Sequence, residues 1–149
     1  MKNVEVRKAV AKDIPTILEL LYTLDRPRPK TGAEKIKFQK LVSGYTSDKD
    51  CAILVAELNS DIAGVVTISF MTRLNHTEPE MYIPELIVKE KYRKLGIGRS
   101  LINACVEIAR KKKCYRIRLD SAHHRKEAHL FYKSLGFDQS ALTFTKNTL

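Results

Sequence analysis

Val4 to Val10 alternates apolar and polar residues, the pattern of a strand with one buried face. Ile14, Ile17, Leu18, Leu21 and Leu24 then recur at the spacing of one helix face, and Asp13 stands where an N-cap belongs. Arg26-Pro27-Arg28-Pro29-Lys30-Thr31-Gly32 breaks that helix with a basic, proline-punctuated loop, and the spacing predicts a second helix from Ala33 to about Tyr45. Cys51 to Leu58 and Ile62 to Phe70 read as a hairpin turning at Asn59-Ser60-Asp61. After a polar loop, Arg73 to Pro79, the run Tyr82 to Val88 predicts a buried strand and Ile97 to about Lys112 a helix. A strand at Tyr115 to Leu119, a helix from about Lys126 to Leu135 and a last strand at Ala141 to Lys146 complete the reading.

The predicted order is β-α-α-β-β-β-α-β-α-β. It implies an α/β fold, α+β by a stricter label: a mixed, mostly antiparallel sheet with helices on both faces. With 149 residues, 44% of them hydrophobic and 30% charged, residues 1–149 are expected to form one domain with its own core. No apolar run approaches the ~20 residues of a membrane span. Met1-Lys2-Asn3-Val4-Glu5-Val6-Arg7 has no secretory apolar segment, so the expected location is cytoplasmic. Cys51, Cys105 and Cys114 are an odd set without metal-ligand spacing and read as reduced thiols in or beside the core. His123, His124 and His129 lack the partners that would complete a metal site, and no metal is expected.

Charge changes this picture through its placement. Between Lys89 and Arg118 there are eleven Lys or Arg and two Glu, so this segment holds nearly all of the chain's net +10. Arg110 to Lys113 suit the negative end of a helix and a solvated face. Arg93, Lys94 and Arg99 instead surround Gly96 and Gly98, at the junction of an apolar run with a helix. Glycines there let the backbone approach a ligand, and the first helical amides lie unpaired at the positive end of the helix dipole, with Ser100 in the first turn. That combination binds phosphate.

The string is not a Walker A loop, which needs Gly, four residues and Gly-Lys-Ser/Thr. It is not a dinucleotide fingerprint either, because Leu101 stands where the third glycine would be. Arg93-Lys94-Leu95-Gly96-Ile97-Gly98 does fit Arg/Gln-x-x-Gly-x-Gly/Ala. It resembles the pyrophosphate-binding motif of the GNAT family, the GCN5-related N-acetyltransferases. Downstream, Ala128-His129-Leu130-Phe131-Tyr132-Lys133-Ser134-Leu135-Gly136-Phe137 is similar to that family's C-terminal Ala-x-x-x-Tyr-x-x-x-Gly-Phe helix. The close resemblance runs from about Tyr82 to Phe137, and the predicted order of elements is also the family's.

The resemblance implies an acetyl-CoA-dependent N-acetyltransferase in which a primary amine attacks directly within a ternary complex. It implies cofactor contacts at Arg93, Lys94, Leu95, Gly96, Ile97, Gly98, Arg99 and Ser100, and at free backbone groups of Leu86, Ile87 and Val88. One such amide would hydrogen-bond the thioester oxygen. Tyr132 matches the family tyrosine that lies near the cofactor sulfur and protonates the leaving thiolate. A general base stays open between Glu85, which interrupts an apolar strand, Asp120, which ends the next strand, and water or a group on a substrate loop. Many family members carry an asparagine three residues before the helix alanine; Arg125 stands there and puts that asparagine's contact in doubt.

The expected partners are acetyl-CoA and an amine on a small molecule or a protein, with a homodimer left open and no membrane. Arg26, Arg28 and Lys30 near the acceptor entrance would disfavour a strongly cationic acceptor. Two readings compete with catalysis. A basic nucleic-acid-binding module suits the pI near 9.6 but has no stacking aromatics around the basic run. A non-catalytic acetyl-CoA sensor would bind the cofactor without turnover.

Overall fold

Ten elements organise the chain in a computed structural model that describes residues 3–149. They are β1 (Val4–Lys8), α1 (Ile14–Tyr22), α2 (Gly32–Ser47), β2 (Cys51–Leu58), β3 (Asp61–Met71), β4 (Glu80–Ile83), β5 (Leu86–Val88), α3 (Ile97–Lys111), β6 (Arg116–Leu119) and α4 (Lys126–Ser134). The chain divides into two compact units, Met1–Arg118 and Leu119–Leu149. The strands form one sheet in the order β1-β2-β3-β4-β6, with β5 off that path and paired to β3. β1, β2, β3, β4 and β5 meet their partners antiparallel.

The hairpin between β2 and β3 turns through Asn59 and Ser60, both at positive φ (52° and 64°), a two-residue turn whose twist matches the strands. α2 begins at a side-chain cap, with Thr31 Oγ1 accepting from the Glu34 amide at 3.1 Å. Ile17, Leu18 and Leu20 of α1 and Val42 of α2 pack with Ile53, Val55, Val65 and Ile87 into the core of one sheet face. α3 covers the other face, burying Ile97, Leu101, Ile102, Cys105 and Ala109.

Three details differ from the expectations. Asp13 does not cap α1; its buried carboxylate takes two bonds from Arg7, at 2.7 and 3.0 Å, and one from the Val10 amide at 2.8 Å. An arginine within reach outcompetes neutral helical amides for a carboxylate. The run expected as one strand at Tyr82 to Val88 is two, interrupted at Pro84-Glu85. Proline has no N–H for a ladder, and Glu85 spends its amide on a side chain, Thr67 Oγ1 at 3.0 Å. Finally, 141–146 alternates like a strand but forms none. Alternation supplies two faces and no partner, and a lone strand is unstable in water. Leu142 and Phe144 there are exposed.

Two contacts set where α3 starts. A Cβ on Gly64 of β3 would lie 2.9 Å from the Ile87 carbonyl oxygen, 3.0 Å from Ile97 Cγ2 and 3.1 Å from Leu101 Cδ1. Only glycine lets β5 and the first turn of α3 come this close to β3. Asp61, at the start of β3, accepts from Lys89 Nζ at 2.7 Å and Tyr92 Oη at 2.8 Å, and pairs with Lys91 at 3.3 Å. It therefore clamps the short 3₁₀ turn Glu90–Tyr92 that leads from β5 to the glycine turn.

Gly64→Ala should cost about 2 kcal/mol, because the added carbon meets backbone as well as side chains. A urea midpoint equal to that of the wild type would contradict this packing. Asp61 gives a pH-dependent prediction. Its hydrogen bond from Lys89, helped by Tyr92 and opposed by partial burial, holds its carboxyl down at about 2. Because the folded value lies below the ordinary value of about 3.9, the stabilisation is present above about pH 4 and is lost as pH falls toward 2. Asp61→Asn should lower the urea midpoint at neutral pH, and the gap to the wild type should close over that acid range. A gap independent of pH would contradict the clamp.

Candidate active site

The glycine turn lies in the first compact unit. Lys94 holds positive φ (62°) and Gly96 a left-handed conformation (φ 83°, ψ 8°), immediately before α3. Gly96 is the N-cap of α3 and has no side chain to cap it; its carbonyl accepts from the Ser100 amide at 3.0 Å. The amides of Ile97, Gly98 and Arg99 lack intrahelical partners and carry the positive end of a helix of 15 residues. Arg93, Lys94, Leu95 and Arg99 are exposed around them, whereas Ile97 is buried and anchors the turn. Gly96, Gly98 and the exposed Arg93, Lys94 and Arg99 thus lie together at the start of α3.

β5 supplies the second part. Val88, Ile87 and Leu86 stand opposite Gly64, Val65 and Val66. The bonds flanking this ladder, Lys89 N to Ala63 O at 2.8 Å and Thr67 N to Glu85 O at 3.0 Å, fix which residues are bonded pairs. In an antiparallel ladder such pairs alternate. Glu85, Ile87 and Lys89 thus turn their backbone groups toward β3, and Leu86 and Val88 turn theirs to the opposite edge. Among the described residues no strand pairs with β5 on that edge, because β6 joins the sheet at β4. The expectation that Leu86, Ile87 and Val88 all present free backbone groups narrows to Leu86 and Val88.

Glu85 sits where β4 gives way to β5. Its carboxylate, 16% exposed, accepts a short hydrogen bond from Thr67 Oγ1 and pairs with Arg26 Nη2 at 3.3 Å. Arg28 pairs with Glu19 at 3.1 Å and lies 5.1 Å over the Tyr22 ring. Both arginines of the basic loop are thus matched by carboxylates, which sequence position alone did not show. The cysteines are free thiols, with Cys105 buried and its thiol pushed up to about 12. None has the lowered pKa of a nucleophile, since burial raises Cys51 and Cys114 as well. Among the described residues no three His, Cys, Asp or Glu side chains form a metal cage, and no helix is long and apolar enough to cross a membrane.

The second unit carries Asp120, Arg125 and Tyr132. Burial pushes the Tyr132 phenol above its ordinary value, against a smaller opposing effect of Arg125. Its ring packs against Phe131 and Phe137, with centroids at 5.3 and 5.8 Å. Asp120 is exposed and accepts from Thr143 Oγ1 at 3.0 Å. Arg125 precedes α4 without capping it through its side chain. His129 Nε2 instead donates to the Ala122 carbonyl at 2.9 Å, tying the first turns of α4 to the preceding loop. Sequence reasoning missed that role because it weighed His129 only as a metal ligand.

The chain is 28% identical over 138 residues to glucosamine 6-phosphate N-acetyltransferase of Trypanosoma brucei brucei, covering 91% of this chain and 89% of that protein. It is 26% identical over 145 residues to aminoalkylphosphonate N-acetyltransferase of Salmonella typhimurium, covering 95% and 90% respectively. A solved acetyltransferase structure from Trypanosoma brucei has the same fold, with a TM-score of 0.81 at 24% identity over 98% of this chain and all of that one. The model of the acetyltransferase (GNAT) family matches residues 17–137, taking in the glycine turn, the interrupted strand and the tyrosine helix together, and the chain belongs to that family of N-acetyltransferases.

Proposed function

We propose that this enzyme transfers an acetyl group from acetyl-CoA to the primary amine of a small acceptor that carries an anionic group, within a ternary complex. The observation that supports the cofactor part most directly is the pairing of an uncapped, glycine-started helix with a strand edge left open beside it. Acetyl-CoA, when bound, supplies the acyl group as a thioester. The amides of Ile97, Gly98 and Arg99, with Arg93 and Lys94, would hold its pyrophosphate. The outward backbone groups of Leu86 and Val88 would hold its pantetheine arm and donate to the acyl oxygen.

Tyr132 provides a proton at its phenol oxygen. A raised phenol stays protonated well above neutral pH, so the group is in its acid form when the C–S bond breaks and sulfur needs a proton. The amine loses one proton as the C–N bond forms. Glu85, at the break between β4 and β5, is one base candidate, and accepting that proton would loosen its pairing with Arg26. Asp120 and water stay as the other routes.

Net charge supports an acceptor with an anionic group. The chain carries +10, which favours negative ligands by long-range attraction. Two of its relatives are named for amines that bear a phosphate or a phosphonate.

The test is free-thiol release from acetyl-CoA across amines with and without an anionic group. Tyr132→Phe keeps the packed ring and removes one donor. With chemistry rate-limiting, kcat should fall ~10- to 10³-fold while acetyl-CoA affinity changes little. Full activity of Tyr132→Phe would remove this residue from the mechanism. Tight acetyl-CoA binding with no turnover of any amine would favour a sensor instead.

A further inference from the structure

The C-terminal end of α3 carries charge that the fold leaves unneutralised. Arg110, Lys111, Lys112 and Lys113 run together there, all exposed. Arg110 pairs with Glu107 at 2.7 Å. Among the described residues Lys111, Lys112 and Lys113 pair with no carboxylate, and Lys112 lies instead 5.0 Å over the Phe70 ring. The helix dipole favours cations in the last turn, which accounts for Arg110 and Lys111. It does not account for the backbone of Lys113. The Cys114 amide donates to the Ala109 carbonyl at 2.8 Å and the Lys113 amide to the Arg110 carbonyl at 3.1 Å, so the helix ends in a Schellman motif. That motif needs a left-handed residue where Lys113 stands, at φ 57°. Glycine is the ordinary occupant, and a lysine there costs stability that glycine does not. Strain held by a charged, exposed side chain points to a use for that side chain. The other lysine at positive φ among the described residues is Lys94, in the glycine turn at the opposite end of the same helix.

A rigid aromatic pair follows this run. His76, itself exposed, stacks on Tyr115 with centroids 3.8 Å apart and planes within 7°. Tyr115 is fixed at both ends. Its amide donates to the Pro79 carbonyl at 3.0 Å, and its Oη to Glu80 Oε2 at 3.1 Å. Glu80 is fully buried and also accepts from Arg116 Nε and, at 3.1 Å, from Arg118 Nε.

The lysines and the stacked rings gather at one end of the sheet. Phe70, beneath Lys112, and Met71 end β3, and Glu80 stands opposite Met71 at the start of β4. The glycine turn lies at the other end of β3, where Ile97 packs on Gly64, and the 15 residues of α3 separate the two by about 22 Å. The charge at 111–113 therefore serves a different anion from the one at the glycine turn. Unpaired lysines bind phosphates without regard to sequence, and a rigid ring pair offers a face on which a base can stack. A duplex keeps its bases stacked inside and cannot use that face. A lipid surface asks for several apolar side chains at once, and the loop that carries His76 exposes a single large one, Leu74.

We infer that this end of the fold is a docking surface for single-stranded RNA, the nucleic acid that commonly presents unstacked bases. Lys111, Lys112 and Lys113 meet its phosphates, and the His76–Tyr115 stack meets a base. The surface is additional to acetyl transfer and independent of which amine is acetylated.

Fluorescence anisotropy with a short labelled oligouridine tests it, on the full chain with saturating acetyl-CoA present. The wild type should bind, more weakly as salt rises. Replacing Lys111, Lys112 and Lys113 together with Gln should loosen binding ~10-fold or more and reduce the slope of log affinity against log salt by about 2. His76→Ala should loosen it about 10-fold, and His76→Phe, which keeps a flat ring, should restore most of that loss. Lys113→Gly should bind RNA more weakly and yet raise the urea midpoint, a pairing that damage to the fold cannot produce. Acetyl-CoA should not displace the RNA. No binding, displacement by acetyl-CoA, or equal affinity in the lysine variants would overturn the surface. So would equally tight binding of duplex RNA, polyglutamate or phosphatidylserine vesicles, since each would show a general attraction of anions without base stacking.

Discussion

The break at Pro84-Glu85 is the constraint on which the site depends. It is stabilised by a reciprocal set of bonds with Thr67, whose amide takes the Glu85 carbonyl while its hydroxyl meets both the Glu85 amide and carboxylate. Because of it, β4 continues to the next strand of the sheet and β5 does not. An edge of unpaired backbone groups usually invites aggregation. Here it is only three residues long and stands just before the turn into α3, where a ligand can satisfy it.

The surrounding contacts keep that edge and the glycine turn in fixed relation. Gly64 admits β5 and α3 to the same stretch of β3, so one missing side chain sets two distances. Asp61 anchors the connecting turn by pairing with both Lys89 and Lys91. The basic segment is accordingly not a uniform field. Some of its charges are structural, and Arg93, Lys94 and Arg99 are the ones exposed at the helix start.

Legibility followed the range of the interaction. Gly96 and Gly98, the Asn59-Ser60 turn and the amphipathic α3 were readable because each requirement is met within a few residues. Asp13 looked like a cap until Arg7 claimed it, a competition that composition cannot rank. The Glu80 cluster joins residues 36 to 38 positions apart, and nothing local in Glu80, Arg116 or Arg118 marks them as partners. The run Tyr82 to Val88 read as one strand even though Glu85 interrupts it, since periodicity counts side chains and not ladder bonds. Conversely, 141–146 had the alternation of a strand and no neighbour to pair with.

Residue-resolved hydrogen exchange with and without acetyl-CoA tests the central claim most directly. In the free protein the Ile87 amide should be protected by β3 and those of Leu86 and Val88 should exchange quickly. Saturating acetyl-CoA should slow Leu86 and Val88 together with Gly98 and Arg99, with little further change at Ile87. Binding that protects neither the open edge of β5 nor the first turn of α3 would contradict the account.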